Sequence, residues 1–505
     1  VEPDGLGDGG QLRQAFAMVQ LDRLESPEVL LRSGEPLFRG EVPDVAPARD
    51  VSPPRPPDRV TDARNLVVAP GFVDTHVHLS EHLNRGLLLD DIPVDRYLPD
   101  WLIPLYSVMT AEDEQHAALL AGIEMIRTGT TTFCEAGTLF DVPAVAEAIE
   151  RLGMRAILGR WTWDLETGPD RMRQSTEEAL RANEQMLEAV NRRDGLVRAW
   201  PLLLGFGTCS EALIRGAHAL ADRFGVGWGM MHLASHPSRR TRDRLPLATL
   251  DGWGVLGPRT KLSHMVYLDD ADIALLARRS VKVSHCPTAG LKHTKGLAAH
   301  ARVPEMIAGG VCVSLGGDSG NGSNHFDMLR MMYLVANLYK DARLDVGVMP
   351  PETVMEMATR RGAESLLMER QIGSIERGKR ADLVFYDGDA PEWRPLLNPL
   401  NNLVYAATGS SVRSVMIDGR LVLDEGRITT VDERAVYERV EVLARRQVER
   451  AGLRIESKGV RVPRRGTRGG AGHAGAGVGI RLDIGTGSRL RLTIQRAMAD
   501  GALWG

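Results

Sequence analysis

The chain has 505 residues, 43% of them hydrophobic and 25% charged, with a formal net charge of -4. That length can bury a large core and exceeds one simple domain, so a barrel of about 250 residues or more with an appended domain is expected. The near balance of charge gives no reason to invoke nucleic acid or anionic lipid, and no apolar run approaches the roughly 20 residues that cross a bilayer.

The opening Val1-Glu2-Pro3-Asp4-Gly5 shows no basic stretch before an apolar core, so no secretory signal is visible, and the widely spaced cysteines, read as reduced, lead to the expectation of a cytoplasmic location. Residues 1–58 carry the Pro-rich run Ser52-Pro53-Pro54-Arg55-Pro56-Pro57 and little helical or period-2 pattern. From Leu66 to about Met368, short apolar runs alternate with amphipathic stretches. The strand-like runs are Leu66–Thr75, Thr130–Cys134, Arg155–Gly159, Val197–Leu204, Val226–Leu233, Thr260–His264, Val281–His285 and Val311–Leu315. Between them, Ala111–Arg127, Thr176–Asn191, Asp269–Arg279 and Phe326–Lys340 place apolar residues at helical spacing. Eight strands with intervening helices predict an α/β fold, a (β/α)8 TIM-type barrel with its working face at the strands' C-terminal ends. A doubly wound open sheet is the alternative, but no Gly-x-Gly-x-x-Gly or phosphate loop supports it.

Past the barrel the texture changes. Gly373–Phe385 reads as a turn and a strand, and Val412–Leu423 as a hairpin turning at Asp418-Gly419. These predict a small β-sandwich domain built from both ends of the chain. The domains expected are 1–65 for its first part, which is poorly patterned, 66–368 for the barrel and 369–430 for its second part. A helix over 431–455 and an Arg- and Gly-rich tail over 456–505 follow, the tail read as disordered. Out-of-frame translation of GC-rich DNA is a second reading of both ends. The four cysteines, Cys134, Cys209, Cys286 and Cys312, form no Cys-x-x-Cys pair and read as reduced, structural thiols.

The chemistry is concentrated at predicted strand ends. In Pro70-Gly71-Phe72-Val73-Asp74-Thr75-His76-Val77-His78-Leu79, the two histidines stand one residue apart on a strand and so project to one face. Further strands end in Met231-His232, Ser263-His264 and Ser284-His285, and the last leads into Gly316-Gly317-Asp318-Ser319. Alone, each is more often a hydrogen-bonded histidine or a capping aspartate. Together on one barrel rim they point to a shared divalent cation.

With these motifs, the chain resembles the amidohydrolase superfamily, and within it the chlorotriazine hydrolases and the adenosylhomocysteine or methylthioadenosine deaminases. The resemblance runs from about Val60 to Ile428. Arg85-Gly86, Gly129-Thr130-Thr131-Thr132, His232-Leu233-Ala234, Ser284-His285-Cys286-Pro287 and Gly317-Asp318 also carry it. It implies that His76, His78, His232 and Asp318 ligate one divalent ion, zinc first, with iron, cobalt or manganese as substitutes. It implies too that His264 and Asp318 are catalytic and that the protein is a homo-oligomer acting on a small molecule. Two-metal relatives carry a lysine at the end of strand four. Pro201–Cys209 has none, so a single ion is expected. Such an ion lowers the pKa of its water from about 15.7 toward about 7, making hydroxide available. Asp318 would take the water's proton and return it to the leaving group, while a protonated His264 steadies the developing charge.

One departure matters. The deaminases of this group have His-x-x-Glu on strand five, the glutamate serving a ring nitrogen, whereas this chain reads His232-Leu233-Ala234-Ser235-His236. A serine does not exchange protons near neutral pH as a carboxyl does. On that ground the favoured activity is hydrolysis of an amide, urea or carbamate-type C–N bond, like that of the molinate and phenylurea herbicide hydrolases. Deamination or dechlorination of a nucleoside-type or s-triazine ring is the alternative, and a non-catalytic scaffold that has lost its metal is the reading from another class. His82, Arg85, Trp101, His236, His285 and Asn321 are the candidate substrate contacts. Arg85 reads more often as a surface charge or loop anchor and Trp101 as simple packing, while His285 reads equally as a support for another group.

Overall fold

The computed structural model describes residues 19–20, 28–31, 59–62, 65–88, 92, 94–165, 170–205, 207–234, 247–453, 479–482 and 492–495. It divides into two units, Val1–Ile455 and Glu456–Gly505. In the second, Gly479–Leu482 pairs antiparallel with Leu492–Gln495. Most of the two ends, and with them the readings of a disordered tail and an aberrant frame, lies outside the described residues.

The barrel strands are β1 Phe72–His78, β2 Thr130–Glu135, β3 Arg155–Leu158, β4 in two pieces Val197–Ala199 and Leu202–Gly205, β5 Trp228–Leu233, β6 Thr260–His264, β7 Lys282–His285 and β8 Cys312–Leu315. All neighbours are parallel. The first piece of β4 pairs with β3 and the second with β5, so Trp200-Pro201 carries the chain from one half-sheet to the other. Beyond β8, Asp318–Ser319 pairs with Val77 and His78 of β1, which brings the last strand back to the first. The strands follow the (β/α)8 order as two hydrogen-bonded half-sheets, joined through the chain within β4 and between β8 and Asp318. Because helices cover the sheet outside and side chains fill it inside, the strands are apolar on both faces: Val73, Val77, Phe133, Leu203, Leu262, Val283 and Val313 have no exposed surface.

Local chemistry starts three helices within a residue of where periodicity predicts, while the one expected over Phe326–Lys340 runs Met328–Arg343, its start set by the Asp327 cap. Thr110 and Ser175 open Ala111–Arg127 and Thr176–Asn191 with reciprocal capping boxes, and Asp269 does the same for Asp270–Arg278. The helix Glu433–Arg450 lies along Ala111–Arg127, tied by Arg439 to Glu112 at 2.7 Å and by Arg127 to Glu433 at 2.5 Å.

The small domain is a six-stranded antiparallel sheet drawn from both ends of the chain: Val19–Gln20, Leu66–Pro70, Leu383–Asp387, Val412–Ile417, Arg420–Asp424 and Arg427–Ile428. A separate pair joins Glu28–Leu31 to Arg59–Asp62. Asp418 and Gly419, at φ 51° and 79°, make the tight turn that the Asp-Gly pair predicts. Arg155 of β3 reaches the sheet through a two-point bond to Asp382 at 3.0 and 3.1 Å.

The run Leu66–Thr75, expected as one strand, is two. Leu66–Pro70 belongs to the small sheet and Phe72–His78 to the barrel. The break falls at Gly71, where a Cβ would lie 2.2 Å from Thr131 Oγ1 and where the backbone N–H donates to the Asp382 carbonyl at 2.9 Å. No hydropathy pattern marks that crossing, since both pieces are buried.

Candidate metal centre

The ends of β1, β5, β6 and β8 meet at one rim. His76 and His78 leave β1 on the same face, both buried, and Asp318 lies in register with Val77 between them. Asp318 Oδ1 is 3.3 Å from His78 Nε2 and 3.8 Å from His76 Nε2. Its other oxygen, Oδ2, faces His264 Nε2 at 3.7 Å. His232 Nδ1 stands 3.0 Å from His264 Nε2, with the two rings stacked. Thus the structure brings together all four expected ligands and His264.

Backbone strain accompanies the cluster. His264 and Asp318 hold φ of 71° and 63°, a left-handed conformation that costs a non-glycine residue about 1 kcal/mol or more and persists where the surroundings impose it. The surroundings are visible: Asp74 accepts from Gly317 N at 3.0 Å and from His76 N at 3.2 Å, clamping the turn after β8 to β1. Burial raises the Asp74 carboxyl to about 7.

Charge in the cluster favours a cation. Burial, with smaller contributions from nearby charges, holds His76 and His264 well below the usual histidine range, and burial with Lys295 takes His232 down to about 3, so these rings offer lone pairs. Burial opposes a charge on His78 too, but Glu81, Asp318 and Glu135 outweigh it and raise that ring. Burial likewise opposes ionisation of Asp318, yet Lys295 and the histidines hold its carboxyl well below the normal range.

Whether the residues fit a metal can be tested on His76. Ser263 Oγ lies 2.8 Å from its Nδ1, which fixes the ring, and its fully buried Nε2 has no hydrogen-bond partner. An orphaned imidazole nitrogen aimed at a carboxylate and other imidazoles is what an ion would satisfy. Three imidazoles and one carboxylate suit zinc or a neighbouring transition metal. One group of donor atoms among the described residues closes within 4.8 Å, and it comprises His76, His264, Cys286 and Asp318. Cys286, expected as a packing thiol, therefore also borders the centre, although burial pushes its thiol well above the usual range. All four cysteines are free and buried.

The expected substrate contacts divide. Asn321 is buried at the rim, its Oδ1 accepting from Tyr97 while Nδ2 lacks a partner. His285 is buried beside β8, its Nε2 3.1 Å from the Tyr339 hydroxyl, and burial takes it down to about 3. Trp101 is half-buried in the turn Leu98–Leu102. His82 is placed differently from its expected substrate role, whereas Arg85 takes the loop-anchor role that the sequence favoured for it. Both engage Glu124 of the helix Ala111–Arg127, His82 at 2.7 Å, and the His82 ring stacks on Phe326. They hold the loop after β1 in place, because Glu124 lies on the helix packed behind that loop. His236 falls among residues 235–246, outside those described.

Three groups at the rim escape the sequence pattern. Glu81, three residues after His78, accepts from Tyr106 at 2.6 Å and Tyr97 at 3.3 Å, and burial raises its carboxyl. Tyr97 bridges the segment over the mouth to Asn321. Lys295, ten residues past the end of β7, sets its ammonium 3.7 Å from Asp318 Oδ2. The one available hint was a polar cluster, Lys292-His293-Thr294-Lys295, so close behind a rim strand.

Comparison with known proteins adds to this geometry. The model of the "Amidohydrolase family" matches residues 67–422. A 5-methylthioadenosine/S-adenosylhomocysteine deaminase from Syntrophobacter fumaroxidans is 36% identical, over 81% of this chain and 92% of its own length. A 5'-deoxyadenosine deaminase from Methanopyrus kandleri is 34% identical, over 75% and 86% respectively. Among solved structures, an adenosine deaminase from Xanthomonas campestris with bound zinc superposes with a TM-score of 0.73 at 28% identity, covering 81% of this chain and 92% of that one. An atrazine chlorohydrolase from Arthrobacter aurescens complexed with zinc superposes at 0.69 with 19% identity, over 75% and 89%, a likeness of fold.

Proposed function

The chain belongs to the amidohydrolase family, a metal-dependent hydrolase acting on C–N bonds, and on that premise we propose that it is a mononuclear hydrolytic deaminase. Its substrate is a small aminated heteroaromatic ring of the nucleoside type. The observation that carries this reading is the set His76, His78, His232 and Asp318, gathered around an orphaned imidazole nitrogen, in a chain matching adenosine-type deaminases over most of both lengths. A single ion fits because β4 ends in Leu202–Gly205 without a lysine or carboxylate.

The ion, when bound, would supply an acidified water and Lewis acidity. The chain's own groups do the rest. His76, His78 and His232 hold the centre, with Ser263 orienting the first. Asp318 faces the histidines of β1 with Oδ1 and turns Oδ2 toward His264 and Lys295, the oxygen that takes a proton from the attacking water and delivers it to the leaving nitrogen. The buried rim excludes bulk water, so these charges act at short range in a poorly screened space.

A second reading is favoured by Ser235, which stands where the ring deaminases have a glutamate: hydrolysis of an amide, urea or carbamate, whose carbonyl needs no protonated ring nitrogen. Purified zinc-loaded protein offered adenosine derivatives and aminotriazines alongside phenylureas, thiocarbamates and simple amides decides between them. Turnover of ring substrates alone is expected; turnover of acyclic substrates alone would replace the first reading by the second. Loss of turnover on chelation, restored by zinc, is expected in either case, and activity that survives metal removal would sink both.

A further inference from the structure

Lys295 is only 7% exposed, and its position is anchored by the backbone: its N–H donates to the Gly290 carbonyl at 2.8 Å, and Tyr267 donates to its carbonyl at 3.0 Å. The ammonium ends in the metal centre. It lies 3.7 Å from Asp318 Oδ2 and 3.4 Å from both ring nitrogens of His264. Equal distances to Nδ1 and Nε2 put it beside the ring, out of line with either nitrogen's lone pair, and 3.7 Å is long for a charge-assisted bond. An ammonium carries three donors. Here its charged and titratable neighbours include Asp318, His264, His232, His293 and Cys286, and none offers a short, in-line acceptor.

We propose that Lys295 is a substrate-polarising residue, donating to the acceptor atom bonded to the carbon under attack. That atom is a ring nitrogen in an amidine-type substrate or the oxygen of a carbonyl. Water addition at the carbon breaks its π bond and moves that electron pair onto the acceptor, where a fixed positive charge at Oδ2's side of Asp318 offsets it. The proposal deepens the C–N hydrolase reading and rests on it for the chemistry. The strand-five position His232-Leu233-Ala234-Ser235 carries no carboxyl, so a cation from the turn after β7 supplies a group to meet the acceptor. Apolar packing alone gives no reason to bury an ammonium there.

The test uses Lys295→Met in the full chain, with zinc content, acetate affinity and kinetics measured. Acetate is the probe because it presents an acceptor oxygen without a scissile bond; its binding is followed by the visible spectrum of the cobalt-loaded protein. The expected result is wild-type metal content, acetate binding weakened at least tenfold, and kcat lowered about 10²- to 10³-fold. Unchanged acetate affinity would overturn the proposal, as would a kcat within threefold of wild type. Should the methionine variant fail to fold or to hold metal, Lys295→Gln is read by the same two measures and against the same limits. A wild type that turns over no C–N substrate, with acetate affinity still dependent on Lys295, would defeat the functional reading and leave the polarising role standing.

Discussion

Replacing Ser263 by alanine removes the one group that, among the described residues, holds His76 Nδ1, and the cost should fall on the metal more than on the fold. Both residues are fully buried and 2.8 Å apart. A neutral imidazole that gives its Nε2 lone pair to an ion must carry its proton on Nδ1, and that proton needs an acceptor. Without Ser263 the N–H is buried and unpaired, a penalty of about 1–3 kcal/mol. In the metal-free protein the ring can shift its proton to Nε2, where the Asp318 carboxylate at 3.8 Å attracts it by charge without a hydrogen bond, so part of the penalty is avoided there. The difference therefore appears in binding: roughly 10- to 100-fold weaker zinc, the range seen when a ligand loses its outer partner. Competition against a chromophoric chelator measures it, and melting curves with and without zinc locate it. Affinity within about twofold of wild type, or an equal loss of melting temperature in both states, would refute the assignment of Ser263.

Asp318→Asn should fold, because asparagine tolerates the φ of 63° at that position, and lose turnover by about 10²- to 10⁴-fold; near-normal kcat in the zinc-loaded variant would exclude its proton role. Gly316→Ala places a methyl 2.7 Å from His76 Cβ and 2.8 Å from Ser284 Oγ, so weaker zinc binding is expected, by the same chelator assay, beyond any loss of thermal stability. Glu124→Gln tests acid stability. Burial opposes ionisation of Glu124, but His82 and Arg85 hold its pKa at about 2 instead of 4.5, so the native state gains stability above about pH 4.5 and loses it as pH falls toward 2. At 1.36 kcal/mol per unit, the wild type should exceed the variant by up to about 3 kcal/mol near neutrality, shrinking through that window in urea titrations; a gap independent of pH would be contrary.

Much of the site is legible in the chain because it follows strand periodicity. His76 and His78 share a face by the two-residue repeat, and His232, His264 and Asp318 each close an apolar run, so the barrel topology alone predicts their convergence. Other features have no such period. Gly71 separates two sheets inside one apolar run, since burial on both sides erases the change. Glu81 and Lys295 sit in turns, where spacing carries no directional information, and only the packing of those turns aims Glu81 at Tyr97 and Tyr106 and Lys295 at Asp318. His82 and Arg85 follow the strand as closely as any ligand does, yet a carboxylate on the helix behind captures both.

By itself, then, the sequence determined the alternation of elements, the family and the four side chains gathered at the barrel mouth, because local periodicity and chain topology are properties of residue order. Only the tertiary structure decided which nitrogen of His76 is free, which loop groups hold the scaffold, and that a buried ammonium shares the centre. Those depend on distances between residues far apart in the chain, and no spacing along the backbone encodes them.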